Sequence, residues 1–175
     1  MKKNLLLLAA LVTAGLMTAS VSAESDPADV VDGVVMYHND VKGFSFGCPE
    51  GVSARTSEYG SSIVKLSDTG VPFILVSYND RSDDAEAYLN IISQNALESK
   101  TIVNEPEGPA PVEANPGMYA LTYSYTEDGT EYRVTCFTEE CENGFMYFEA
   151  RYYPYSDSDM LSDVFNVVLA TADPD

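Results

Sequence analysis

Residues 118–153 read MYALTYSYTEDGTEYRVTCFTEECENGFMYFEARYY, and the reading of this stretch decides the fold. Met118–Thr126, Glu131–Thr138 and Phe145–Tyr153 are dense in tyrosine, phenylalanine, threonine and valine, the residues that suit a pleated, half-buried surface. Between them stand Asp128-Gly129 and Asn143-Gly144. Both are dipeptides of type I′ hairpins, whose two central residues need positive φ. The stretch therefore predicts three antiparallel strands in hairpin order.

Working outward, Val34–His38 and Gly43–Cys48 read as two short strands around Asn39-Asp40-Val41-Lys42, with Pro49-Glu50-Gly51 stopping the second. Ser61–Leu66 and Pro72–Tyr78 form another pair around Ser67-Asp68-Thr69-Gly70. Ser82-Asp83-Asp84 opens a helix that runs to about Ser99 and carries Ala85, Tyr88, Leu89, Ile92 and Ala96 on one face. Glu105–Pro116 is a proline-rich connection crossing an edge of the sheet. Ser156-Asp157 caps a last helix with the stripe Leu161, Val164, Phe165, Val168 and Leu169. Strands, helix, strands, helix define an α+β fold, an antiparallel β-sheet with helices packed on it.

The chain begins with Met1-Lys2-Lys3, then an uncharged stretch from Leu5 to Met17, then small and polar residues ending at Ala23. That order is the grammar of a secretory signal peptide over residues 1–23, with Val21 and Ala23 before the cut. The apolar stretch is shorter than the ~20 residues a membrane helix needs. Glu24 stands where a lipoprotein would carry cysteine. The expectation is a secreted, extracytoplasmic protein that is not membrane-embedded. It has an acidic flexible lead-in over 24–33 and a single domain over 34–172.

The whole chain carries 9 basic and 28 acidic residues, a formal −19. Losing the leader removes two lysines, which leaves seven basic residues and a balance of −21. Such a surface repels phosphate backbones and argues against nucleic-acid binding. Three cysteines, Cys48, Cys136 and Cys141, remain as candidate disulfide partners, and an odd number leaves one thiol over. On one continuous strand the Cα atoms of Cys136 and Cys141 lie ~16 Å apart, against roughly 4.4–6.8 Å for a bridge. In an Asn143-Gly144 register Cys141 shares a face with Phe137 and Phe148, and Cys136 shares the other with Val134.

Gly43-Phe44-Ser45-Phe46-Gly47-Cys48-Pro49-Glu50-Gly51 resembles the GFSxxxPxGW opening of PsbP-like domains, named for an extrinsic subunit of the photosystem II oxygen-evolving complex. Val52 stands in place of the tryptophan. The mid-chain helix, the Tyr119–Tyr125 strand, the two glycine-turn hairpins and the Phe165-bearing terminal helix follow in the family's order over about residues 34–172. The resemblance implies an α/β/α sandwich, and a binding or accessory module rather than an enzyme. It implies no photosynthetic role, and no functional residue of the family maps onto this chain.

Gly43–Gly47 also matches the G-x-S-x-G nucleophile elbow, but no helix can follow Cys48-Pro49-Glu50-Gly51. The only histidine, His38, precedes Ser45 and is expected to pair with Phe44, which turns Ser45 to the other face. Two acidic clusters, Asp80, Asp83, Asp84 and Glu86, and Asp157, Asp159 and Asp163, are candidate calcium sites without the EF-hand pattern. Helix capping accounts for both. The sequence thus points to a non-enzymatic binding module for an extracellular protein or glycan, with Tyr123, Tyr125, Tyr147 and Tyr153 as a flat aromatic ligand surface. A secreted carboxylate-dependent hydrolase and a calcium-stabilised module are the alternatives.

Overall fold

The computed structural model describes residues 27–31, 33–68, 70–80 and 84–174. The signal peptide over 1–23 lies outside them, as do Glu24–Asp26. The strands are β1 Pro27–Val31, β2 Val34–Asn39, β3 Phe44–Pro49, β4 Ser53–Thr56, β5 Ser62–Lys65 and β6 Phe73–Asn79. Helix α1 is Ala85–Ser99. Then come β7 Thr101–Pro111, β8 Met118–Glu127, β9 Thr130–Cys141 and β10 Gly144–Tyr152. Helix α2 Ser158–Thr171 and a short β11 Asp173–Pro174 close the chain.

Seven strands form one antiparallel sheet in the order β4-β5-β6-β10-β9-β8-β7, and β1-β2-β3-β11 form a smaller one. Side-chain alternation sorts the large sheet into two cores. Phe145 and Tyr147 of β10 and Phe73 and Leu75 of β6 face α1, together with Leu121, Tyr123, Val134 and Cys136. Met146, Phe148 and Ala150 and then Ile74 and Val76 face the other way, onto α2 and the smaller sheet. With both faces covered, β6 and β10 read as near-continuous apolar runs. Phe44, Phe46, Leu121 and Phe148 are all but fully buried, each contributing about 1.5–3 kcal/mol of transfer free energy. The layer opposite α1 is α2 plus a sheet rather than helices alone. Among the described residues no helix is long and apolar enough to cross a membrane.

Both helices begin where their caps predict. The Asp84 side chain accepts from Glu86 N at 2.9 Å, and Asp157 accepts from Asp159 N and Met160 N, each at 3.1 Å. The apolar faces match, with Ala85, Leu89, Ile92 and Ala96 buried on α1 and Leu161, Val164, Phe165 and Val168 on α2.

Three expectations change. The described part of the acidic lead-in, Pro27–Val31, is a strand paired antiparallel with β2, where it covers an edge that would otherwise stand open. The proline-rich connection is largely strand β7, hydrogen-bonded to β8 with three register shifts. Proline has no amide hydrogen to give a ladder, so Pro106, Pro109 and Pro111 are tolerated because β7 is an edge strand and is bulged. The β9–β10 turn is Glu142-Asn143, since Cys141 pairs with Gly144. Asp128-Gly129 does form the expected turn, with φ of 52° and 78° between the paired Glu127 and Thr130.

Candidate functional site

The most unusual side-chain arrangement grows from the β8–β9 pairing. Tyr125 sits opposite Tyr132, so their rings share a face and stack at 5.3 Å and 24°. Tyr123, two residues back on β8, stacks on Tyr125 at 6.2 Å. Tyr153, just past β10, packs on Tyr132 at 5.5 Å, and Tyr155 lies nearly parallel to Tyr153 at 5.2 Å and 8°. The result is a ladder of tyrosines. It begins beneath α1, where Tyr125 is 1% exposed, and ends at Tyr155, which is 80% exposed.

The inner end is anchored on charge. Glu149 is buried, and both its oxygens are engaged. Tyr147 Oη donates to Oε2 at 2.8 Å and Arg151 Nη2 donates to Oε1 at 2.7 Å. Arg151 then lies over the rings of Phe73 at 5.3 Å and Tyr125 at 5.9 Å. Lys100 reaches the same ring from the end of α1, with Nζ 4.9 Å from its centre and 2.7 Å from Glu127 Oε1. Cys136 Sγ is 3.4 Å from the Tyr147 hydroxyl. Burial raises Tyr147 well above the ordinary tyrosine value, with Cys136 and Glu149 adding to it. Burial likewise pushes Tyr125 up to about 12, although Arg151 pulls the other way. Arg151 is raised as well: burial opposes its charge, but Glu149 and the nearby tyrosines outweigh that. Tyr125 and Tyr147 therefore stay protonated and neutral, and Arg151 protonated and charged, across the neutral range.

Tyr123, Tyr125 and Tyr147 are therefore buried under α1, and the expected flat surface is instead a stack seen end-on. Tyr153 is half-buried and belongs to the outer end. Tyr132 and Tyr155, together with Glu149 and Arg151, are the members that sequence reasoning did not single out. The signal was the parity of β10. Glu149 and Arg151 share the face of Phe145 and Tyr147, so a charged pair continues an apolar row.

His38 pairs with Ser45 rather than Phe44. Asn39 stays in β2 because its side chain is buried, donating to Gly60 O at 3.0 Å and Ser62 Oγ at 2.8 Å. Its Oδ1 accepts from Val41 N and Lys42 N, so the loop is the four residues Asp40–Gly43. His38 Nδ1 thus lies 2.9 Å from Ser45 Oγ, and Nε2 lies 3.2 Å from Asp40 Oδ1. A serine triad uses the two ring nitrogens the other way round, around a buried aspartate. Here the Asp40 side chain is 92% exposed and Ser45 lies within a strand. The trio reads as a cross-strand polar contact.

The three thiols are free. Cys136 lies in the core under α1, whereas Cys48 is buried in the opposite core with Cys141 packed against it. β9 runs unbroken from Thr130 to Cys141, so a Cys136–Cys141 bridge is excluded by reach. Burial raises Cys48 to about 12. Of the two acidic clusters, Asp84 and Asp157 serve as caps, and Asp83 lies outside the described residues. No group of three or more histidine, cysteine, aspartate or glutamate side chains among the described residues is placed to hold a metal ion.

An antiparallel sheet held between these layers defines a PsbP-like α+β fold. Several solved structures share it, among them the following two. Cyanobacterial PsbP (CyanoP) from Synechocystis sp. PCC 6803 superposes with a TM-score of 0.54 at 12% identity, covering 91% of this chain and 99% of that one. LpqN, involved in cell envelope biogenesis of Mycobacterium tuberculosis, superposes with a TM-score of 0.50 at 13% identity, over 79% and 88% of the two chains. In sequence the chain matches no protein-family model and no curated protein.

Proposed function

We propose that this protein is an extracytoplasmic recognition or accessory module, not an enzyme, and that it engages its partner through the outer end of the tyrosine ladder. The observation that carries this reading is the stack Tyr132–Tyr153–Tyr155, which presents the 80%-exposed ring of Tyr155 packed on its neighbours. An aromatic ring held by its neighbours gives contact area at little cost in conformational entropy. The export grammar of residues 1–23 supports the location. LpqN's involvement in cell envelope biogenesis makes envelope material the first place to look for the partner.

The test uses the domain immobilised on beads and washed with cell-envelope extract, beside a Tyr153→Ala/Tyr155→Ala variant. The wild type retains a defined component, and the variant, still cooperatively folded at the assay temperature, loses it. Turnover of a glycan or peptide that disappears in carboxylate variants would instead support the hydrolase alternative.

A further inference from the structure

From the ladder we infer the chemistry of the partner: the outer tyrosines recognise an arginine or lysine side chain within a basic protein segment. This rests on the recognition reading above and goes further by naming the ligand class. Three observations lead to it.

The ladder already binds cations at its inner end. Tyr125 has Lys100 at 4.9 Å and Arg151 at 5.9 Å from its ring centre, both within the ~6 Å at which a ring face attracts a positive charge. Tyr132, Tyr153 and Tyr155 continue the same stack outward, and Tyr155 offers its ring to solvent. A chain with nine basic residues places two of them on one tyrosine, and the same stack carries a further ring, Tyr155, out to solvent.

The field around the outer end is negative. Glu127 and Asp128 are close enough to the Tyr132 hydroxyl to help burial and Tyr153 raise its pKa, against an opposing pull from the more deeply placed Arg151. Asp157 and Asp159 start α2 immediately after Tyr155. The chain as a whole carries −19. Carboxylates around an aromatic face strengthen its attraction for cations and repel acidic ligands. A neutral glycan would use the ring faces but gain nothing from that charge. A guanidinium or ammonium uses both.

Within residues 1–175 the nine basic residues are scattered, with no basic run beyond Lys2-Lys3. The occupant is therefore a separate protein with a basic stretch, attracted over a distance by the acidic surface and fixed locally by the rings.

Calorimetric titration with an octapeptide alternating arginine and glycine tests this, with the same peptide carrying citrulline for arginine as the uncharged, same-shape control. The arginine peptide binds, and the citrulline peptide binds at least ~10-fold more weakly. Tyr155→Ala weakens arginine-peptide binding about fivefold and Tyr155→Phe leaves it within about twofold, since the ring face and not the hydroxyl is used. Arginine-peptide binding unchanged in Tyr155→Ala would show attraction by the acidic surface at large and overturn the inference, as would equal binding of the citrulline peptide. If neither peptide binds while envelope capture still depends on Tyr155, the recognition reading stands and the cation inference fails. If capture is also lost from the wild type, both fail.

Discussion

Tyr125 and Tyr147 are both buried on the α1 side of the large sheet, yet their hydroxyls fare differently. Tyr147 donates to Glu149, whereas the Tyr125 hydroxyl is buried without a hydrogen-bond partner. Removing one oxygen from each ring should separate them. Tyr147→Phe strands a carboxylate oxygen of Glu149 and costs about 1–3 kcal/mol; Tyr125→Phe removes an unsatisfied group and is neutral or slightly stabilising. Urea titration of the two variants reads the difference directly, and equal losses would contradict the geometry. The same residues set the response to alkali. Tyr125 ordinarily loses its proton at 10.0, and burial raises that to about 12. Between those values the unfolded chain has released a proton that the folded chain keeps, so stability falls as pH rises through that window, and none of this effect is felt below it. A plot of melting temperature against pH should turn down from about 9, where the unfolded chain ionises Cys48 and the folded chain does not, and steepen above about 10 as Tyr125 adds its share, the part that Tyr125→Phe should soften. The tyrosine-rich strands were legible in the sequence, but their exposure was not. Period-two alternation says which residues share a face and leaves open what covers that face. Here α1 covers Tyr123, Tyr125 and Tyr147 and leaves Tyr155 outside.

At the scale of elements, two glycines in neighbouring hairpins carry different loads. Gly129 has φ 78° in the β8–β9 turn, with nothing within 4 Å of where a Cβ would stand. Gly129→Ala therefore costs only the left-handed conformation, about 1–2 kcal/mol. At Gly144 an added Cβ would collide with the backbone carbonyl of Asn79. Gly144→Ala must push β6 from β10 and should destabilise by more than twice as much, as seen by thermal unfolding. The Asn143-Gly144 dipeptide looked from the sequence like a second type I′ turn. It is not one because Gly144 is needed for close passage of strands, a demand set by β6, far away in sequence. β7 was hidden for a related reason. Its prolines argue against a strand only where both edges are paired, and local composition does not disclose an edge position. Caps, by contrast, are local and were readable. Asp157→Ala removes two accepted amide bonds at the start of α2 and should cost ~1 kcal/mol, with fraying confined to that helix in hydrogen exchange.

For the whole molecule, charge is the property that most separates stability from binding. Nine basic residues cannot neutralise 28 acidic ones, so folding brings like charges together and the compact state is opposed by its own field. The buried Arg151–Glu149 pair is insulated from salt, but the surface carboxylates are not, and the Debye length shrinks from about 30 Å at 0.01 M to about 3 Å at 1 M. Raising sodium chloride across that range should therefore stabilise the fold, by on the order of 1 kcal/mol or ~2–4 °C in Tm. The same salt should weaken capture of a basic segment, because the long-range attraction is screened while the contact with Tyr155 persists. Two observables thus move in opposite directions for one cause. A Tm that falls with salt would mean that favourable pairs such as Lys100–Glu127 outweigh the net repulsion. The acidic surface would then contribute to folding rather than oppose it, and its service to binding would need no offsetting cost in stability.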